Sequence, residues 1–430
     1  MKQQSWSKAK RWFAWLGGGV IVLCLAVGGF WYWINIPPQV KIPTPAMPKP
    51  NGYDYFRRAG ELYVYDSKGV DEVTSPTIKS TYPIADKEAW LKQNAQSFQL
   101  ITEGLRYSVR QPPVRSLYTN IPEYAKFRGI ARALAVQSHV RAERGDWNGA
   151  VQSVLEGYHF GNETVRGGPS IGGLVSIAIR SISLRELGNL VPHTNAATAK
   201  MAARKMEEMY ENRYPYYKTL ENEKWAQVAG NLELMHEKLW QAKLIQSYNS
   251  AIFSESANTP TWLDYAKIFV YSKRKLIADL TQMMDAFIDD ARQPYIKQKP
   301  IAPMGSLLAD SFAPILKNQR WNWARYDTYT VVVMTMYALR AYKMDKGHYP
   351  KNLKALVPTY LHKVPIDPFD GIAPLHYQLQ GEKYLLWSIG PDGVDNHGTP
   401  IINLDKKGRS RHLLLFSDSK GDVVAGKNTP

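Results

Sequence analysis

Residues 12–34, WFAWLGGGVIVLCLAVGGFWYWI, decide the architecture of this chain, because every one of them is apolar, aromatic or glycine. At about 1.5 Å rise per residue, a helix over this run crosses a hydrocarbon core of about 30 Å. Four basic residues and no acidic ones precede it, which places that end in the cytoplasm: Lys2, Lys8, Lys10 and Arg11. We predict a cytoplasmic head at 1–11 and a single-pass anchor in membrane lipid at 12–36.

A cleaved signal peptide is the alternative to an anchor. The apolar run is longer than the usual hydrophobic region of about 7–15 residues, and no small-residue cleavage site follows it promptly. Cys24 is preceded by Ile21, Val22 and Leu23, which is a poor lipoprotein cleavage motif. We therefore favour an uncleaved anchor in a bacterial inner membrane, with the following domains on the periplasmic or extracellular side.

The composition of the chain narrows its class. Hydrophobic residues make up 44% and charged residues 21% of the 430 residues, which are values of globular proteins. The single cysteine excludes a disulfide scaffold within the chain. Four of the sixteen net positive charges lie in the head, so the exported part carries +12. Such a surplus suits nucleic acid or another anionic polymer, but we prefer a role in solubility near an anionic membrane.

The chain after the anchor divides into three segments of different character. Six prolines between residues 37 and 50 predict an extended stalk over 37–52. Helical periodicity predicts a helical domain over 53–318, in which Asp86 caps one helix and Ser170 caps a buried helix over 171–191. From residue 319 the spacing of hydrophobic residues changes. The pattern over 319–430 predicts a long helix followed by a short antiparallel sheet. The fold class is therefore mostly α, with a small α+β domain at the end.

Motifs in a fixed order occupy the last hundred residues. GHYP at 347–350 ends the long helix, DPFDG stands at 367–371, and SIGPDG at 388–393 follows two predicted strands. A second hairpin is predicted to pair 413–416 with 422–424. In their order, these motifs resemble the globular domain of the major pseudopilins of type II secretion systems. The whole chain is also similar to uncharacterised membrane-anchored bacterial proteins.

The resemblance implies a calcium site in the loop after the strands. Asp392 and Asp395 stand at the matching positions, with Asn396 and Asp405 nearby. Oxygen ligands on a turning loop suit a hard cation such as Ca²⁺. The alternative is a pair of Asx-turns, in which both carboxylates bond to backbone amides.

Catalytic motifs are weak throughout the sequence. GPSIG at 168–172 matches the nucleophile elbow of hydrolases, but a helix rather than a strand is predicted before it. The nine histidines show no metal-ligand spacing and are expected at surfaces or interfaces. The adjacent acids Glu207–Glu208 and Asp289–Asp290 predict solvated helix faces. We therefore predict no enzymatic activity, and no cofactor besides the calcium.

These observations lead to a functional hypothesis and two alternatives. The chain is expected to be a membrane-anchored envelope protein that acts as a protein-interaction scaffold, linked to type II secretion or pilus-type assembly. Its partners would be other envelope proteins. The first alternative is an envelope hydrolase with a site in the helical domain, for which we expect a concave pocket with convergent titratable groups. The second is an anchored binder of an anionic polymer.

Overall fold

The computed structural model describes residues 3–68, 82–251, 271–310, 312–404, 410–411 and 415–429. Its first helix, α1 (Gln3–Asn35), contains the apolar run. Within those ranges, Trp12–Asn35 is the one segment long and apolar enough to cross a membrane, and its residues 12–33 are exposed. Length and composition thus fit a membrane span or a signal anchor. Residues 37–48 then form neither helix nor strand, as their prolines predict.

The described chain forms two compact units. One contains Met1–Pro43, Gln227–Met283 and Ala302–Pro314, and the other contains Thr44–Ala226, Met284–Ile301 and Ile315–Pro430. The predicted boundary at residue 318 stays a prediction. Within the second unit, however, one hydrophobic cluster includes residues from both sides of it, among them Leu187, Tyr337 and Leu386.

The chain is mostly helical, as predicted. After α1 the helices are α2 (Gly52–Leu62), α3 (Ile84–Gln93), α4 (Ala95–Gly104), α5 (Glu123–Glu143), α6 (Trp147–Thr164), α7 (Ser170–Leu190), α8 (Ala196–Glu211), α9 (Tyr216–Met235), α10 (Trp240–Ala251), α11 (Lys273–Ala291), α12 (Leu307–Asp310) and α13 (Ala313–Lys346). The sequence also predicts a helix over about 261–293, and the beginning of that range lies outside the described residues.

Two predicted helix caps are wrong. Proline precedes the first helical residue of both α3 and α7, so the helices begin two residues before Asp86 and at Ser170 itself. The backbone N–H of Ser170 donates to the Glu223 carboxylate at 2.7 Å. A buried carboxylate thus takes the position of a capping side chain at the start of α7, where free N–H groups favour negative charge.

Glycines let α6 and α7 pack closely in the centre of the second unit. A Cβ atom on Gly157 would lie 2.9 Å from the Ser183 hydroxyl, and one on Gly161 would lie 2.9 Å from the Ile179 side chain. Both distances are too short for real Cβ contacts, so larger residues would separate the helices. The close approach fixes which face of α6 turns towards α7 and which face turns away from it.

The long helix α13 packs against these two helices through buried polar contacts. The Tyr337 hydroxyl donates to the carbonyl of Leu187 at 2.8 Å, and the hydroxyls of Tyr158 and Thr330 are 2.9 Å apart. Because these groups are buried, each contact satisfies a polar atom that would otherwise be costly.

A three-stranded antiparallel sheet follows α13. Strand β1 (His376–Gln380) pairs with β2 (Lys383–Ser388), and β2 pairs with β5 (Val423–Val424). Two shorter strands, β3 (Asn403–Leu404) and β4 (Ser410–Arg411), pair with each other. The hairpin that the sequence predicts from Leu375–Leu379 and Tyr384–Trp387 is confirmed. The second is not, because the described residues of 413–416 form no strand and β5 instead completes the open edge of β2.

Asp367 joins two of the motifs of the C-terminal segment. Its buried carboxylate accepts hydrogen bonds from the Ser388 hydroxyl at 2.8 Å and from the Ile389 N–H at 2.9 Å. Phe369, two residues later, is buried and stacks on Trp321 of α13. The motif at 367–371 therefore ties the end of β2 to the long helix.

Candidate functional site

The two predicted calcium ligands lie on the loop that follows β2. Asp392 accepts hydrogen bonds from the N–H groups of Val394 and Gly421, both at 3.2 Å. Asp395 accepts one from the indole Nε1 of Trp387 at 2.9 Å. Each carboxylate also accepts from the N–H two residues later, which is the Asx-turn arrangement of the alternative interpretation.

Charge in this loop is balanced by N–H donors. Partial burial opposes ionisation of Asp395, but hydrogen bonds, with that from Trp387 foremost, lower its pKa overall. Burial raises the pKa of Asp422, and the nearby Asp395 and Asp392 add to the effect. No group of three or more His, Cys, Asp or Glu among the described residues is arranged to hold a metal ion, and Asp405 lies outside them. The calcium site stays a prediction.

A deeper polar site lies between α4, α6 and α8, and we call it the histidine pocket. Its volume is about 490 Å³, within the range of roughly 300–1,000 Å³ of small-molecule sites. Its lining combines charged, amide, hydroxyl and apolar side chains: Thr102, Leu105, Arg106, Gln152, Leu155, Glu156, His159, Glu163, Lys205, Glu208, Met209 and Asn212.

Helical spacing brings the polar side chains of this pocket together. On α6, Gln152, Glu156, His159 and Glu163 are three or four residues apart in sequence, so they share one face. The opposite face of α6 is the one that Gly157 and Gly161 hold against α7. The same helix contact that fills the core thus presents the polar residues to the pocket.

The pKa values of two titratable groups in the pocket are shifted in opposite directions. Burial raises the pKa of Glu156, and its hydrogen bond from the Thr102 hydroxyl opposes this shift only in part. Burial lowers the pKa of His159, although the Glu163 carboxylate works against it. Compared with the same groups in water, Glu156 therefore binds a proton more readily and His159 binds one less readily.

Local sequence patterns predicted neither this pocket nor the burial of Glu207. His159 is half-buried in the pocket, although motif spacing gave it no special role. Glu207 is buried rather than solvated, and its carboxylate accepts the N–H of His362 at 2.8 Å. The spacing of polar residues along α6 was the available signal, but it does not by itself reveal which faces of three helices meet.

A second concave site of about 530 Å³ lies beside the 367–371 motif, and we call it the aromatic pocket. Arginines and aromatic rings line it, including Arg213, Arg320, Tyr217 and Trp323. The arginines are engaged: Arg320 pairs with Asp290 at 3.1 Å, which corrects the solvated face predicted for that acid.

A buried ion network forms one wall of the aromatic pocket. Asp327 accepts from the guanidinium groups of Arg180 and Arg213, both at 2.8 Å. The side chain of Arg180 is only 2% exposed and that of Arg213 is 31% exposed. Two cations thus share one carboxylate, and one of the cations has almost no access to water.

The segment around GPSIG shows no nucleophile elbow. The helix α6 precedes it, as predicted, whereas the elbow needs a strand there. The Ser170 hydroxyl is buried without a hydrogen-bond partner and lines neither of the two pockets. Comparison with known proteins found no matching family model, no matching curated protein and no matching solved structure.

Proposed function

We propose that this chain is a single-pass envelope protein that presents a helical scaffold and a pseudopilin-like α+β segment to other proteins. The apolar helix at the N-terminus supports membrane attachment. The proline-rich residues after it support a spacer between the bilayer and the folded part. A link to type II secretion or pilus-type assembly rests on the motif order in residues 347–393.

An exposed apolar surface carries the proposal of protein contact. Four branched side chains near the 367–371 motif are exposed to solvent: Ile296 by 39%, Ile366 by 38%, Ile372 by 66% and Val394 by 55%. We call them the isoleucine patch. Ile296 is held near the motif, because its N–H donates to the Phe369 carbonyl at 3.2 Å. Exposed apolar groups gathered beside a pocket are typical of interaction surfaces.

The net positive charge of the chain favours an acidic partner for this surface. The part of the chain after the anchor carries +12, so an acidic partner is attracted over distances of about 10 Å at moderate salt. The apolar patch then supplies the short-range contact. We therefore propose an acidic envelope protein as the partner rather than a nucleic acid, which the isoleucine patch would not recognise.

Photo-crosslinking in native membranes tests this proposal. A crosslinking amino acid at position 372 should capture an acidic envelope protein, and the matched position 118, where Tyr118 is 62% exposed, should not. In the same membranes, Ile372→Asp should reduce co-purification of that partner by about tenfold, since it removes apolar contact and adds like charge. Equal capture from both positions, or no capture from 372, would contradict the proposal.

A further inference from the structure

The histidine pocket contains charged groups that the protein does not use internally. Among the residues that the structure describes, the side chains of Lys205 and Glu208 make neither a hydrogen bond nor an ion pair, and the Glu156 carboxyl group bonds only to the Thr102 hydroxyl. Other charges at the same site are neutralised, since Glu163 pairs with Arg166 at 2.7 Å. Charges of both signs are therefore left available within one cavity.

The imidazole of His159 is also available. It has no hydrogen-bond partner within the described part of the chain, and burial favours its neutral form by lowering its pKa. A neutral imidazole offers one N–H donor and one nitrogen acceptor. An unused donor–acceptor pair inside a pocket suits a ligand with a polar group of both kinds, such as a peptide bond.

Apolar side chains complete the lining. Leu155 is buried, Leu105 and Met209 are half-buried, and all three belong to the wall of the pocket. Such side chains accept an apolar group of a ligand, while the charged groups fix its orientation.

We propose that the histidine pocket binds a small zwitterion, a short peptide with apolar side chains. Glu156 and Glu208 receive its ammonium group, Lys205 receives its carboxylate, and His159 bonds to its peptide group. The apolar side chain of the ligand packs on Leu155 and its neighbours.

Other ligand classes fit these residues less well. The side chains without an ion-pair partner comprise two carboxyl groups and one ammonium group, so a simple anion would leave the carboxyl groups without a ligand group. A metal ion is not favoured, because no described group of three or more His, Cys, Asp or Glu has a suitable arrangement. A zwitterion matches both signs and forms charge-assisted hydrogen bonds at each end.

Calorimetry with the dipeptide leucyl-leucine tests the proposal on the full chain in detergent micelles. We expect saturable binding, and the capped analogue N-acetyl-leucyl-leucinamide, which has neither charge, should not bind. Glu156→Gln and Lys205→Met should each weaken binding by about tenfold or more. The matched changes Glu382→Gln and Lys354→Met, at exposed positions outside the pocket, should leave it unchanged.

Each outcome decides for or against this assignment. The assignment is supported if leucyl-leucine binds, the capped analogue does not, and both pocket variants lose binding. Release of free leucine during the titration would in addition identify the site as hydrolytic. Absence of leucyl-leucine binding, equal binding of the capped analogue, or indifference to both variants would overturn it. Should Glu156→Gln melt early, Glu208→Gln replaces it, because Glu208 is exposed and has no structural partner in the described chain.

Discussion

The ion network around Asp327 allows a stability prediction with a worked magnitude. Asp327→Asn keeps the shape of the side chain but removes the charge that two guanidinium groups share. Arg213, at 31% exposure, regains water, so its contribution is small. The Arg180 side chain, which is only 2% exposed, does not regain water. An uncompensated buried charge costs about 3–5 kcal/mol of unfolding free energy. We expect a loss near the lower end, about 3 kcal/mol, because the asparagine oxygen still accepts one hydrogen bond.

Urea unfolding of the full chain in detergent, followed by tryptophan fluorescence, measures this loss. With slopes of roughly 1–3 kcal/mol per molar urea, about 3 kcal/mol lowers the midpoint by at least about 1 M. The control Asp289→Asn, which removes an exposed partner of Arg292, should cost less than about 1 kcal/mol. The double variant Arg180→Met/Asp327→Leu should recover part of the loss. Equal midpoints for Asp327→Asn and the control would refute the reasoning.

Two further predictions concern titration and calcium. Because the pKa of His159 is lowered in the folded chain, the unfolded chain takes up its proton first, so the wild type loses stability as the pH falls below about 6.5. Between about pH 7.5 and about pH 5.5, His159→Asn should lose less unfolding free energy than the wild type. Urea midpoints at the two pH values measure the difference. Equal losses in the two proteins would contradict the lowered pKa of His159. If Asp392 and Asp395 bind calcium, the ion should raise the Tm and a chelator should reverse the rise. A Tm that changes with neither calcium nor the chelator would contradict the predicted calcium site.

Sequence periodicity predicted the features that depend on neighbouring residues. The apolar run of α1, the helical character up to α13 and the β1–β2 hairpin follow from local spacing, and the structure confirms them. The start of α7 at Ser170 was not predictable in this way. The group that satisfies its N–H is Glu223, which stands on a different helix.

Contacts between distant segments explain the remaining differences. The adjacent acids Glu207 and Glu208 predict a solvated helix face, yet the backbone of His362 reaches Glu207 from the C-terminal segment. The histidine pocket exists only where three helices meet. Motif spacing cannot show that Glu156 and Lys205 face one cavity, since tertiary packing decides it.

The hydrophobic cluster that joins Leu187, Tyr337 and Leu386 has a consequence for how the second unit folds and opens. Side chains from the helices and from the sheet bury one another's apolar surface, so neither part completes this cluster alone. Hydrogen exchange should therefore report α7, α13 and β2 as one cooperative unit, with the slowest amides of all three opening at a common free energy. A fragment cut at residue 318 would expose the apolar face of α13 and tend to aggregate rather than behave as an independent module.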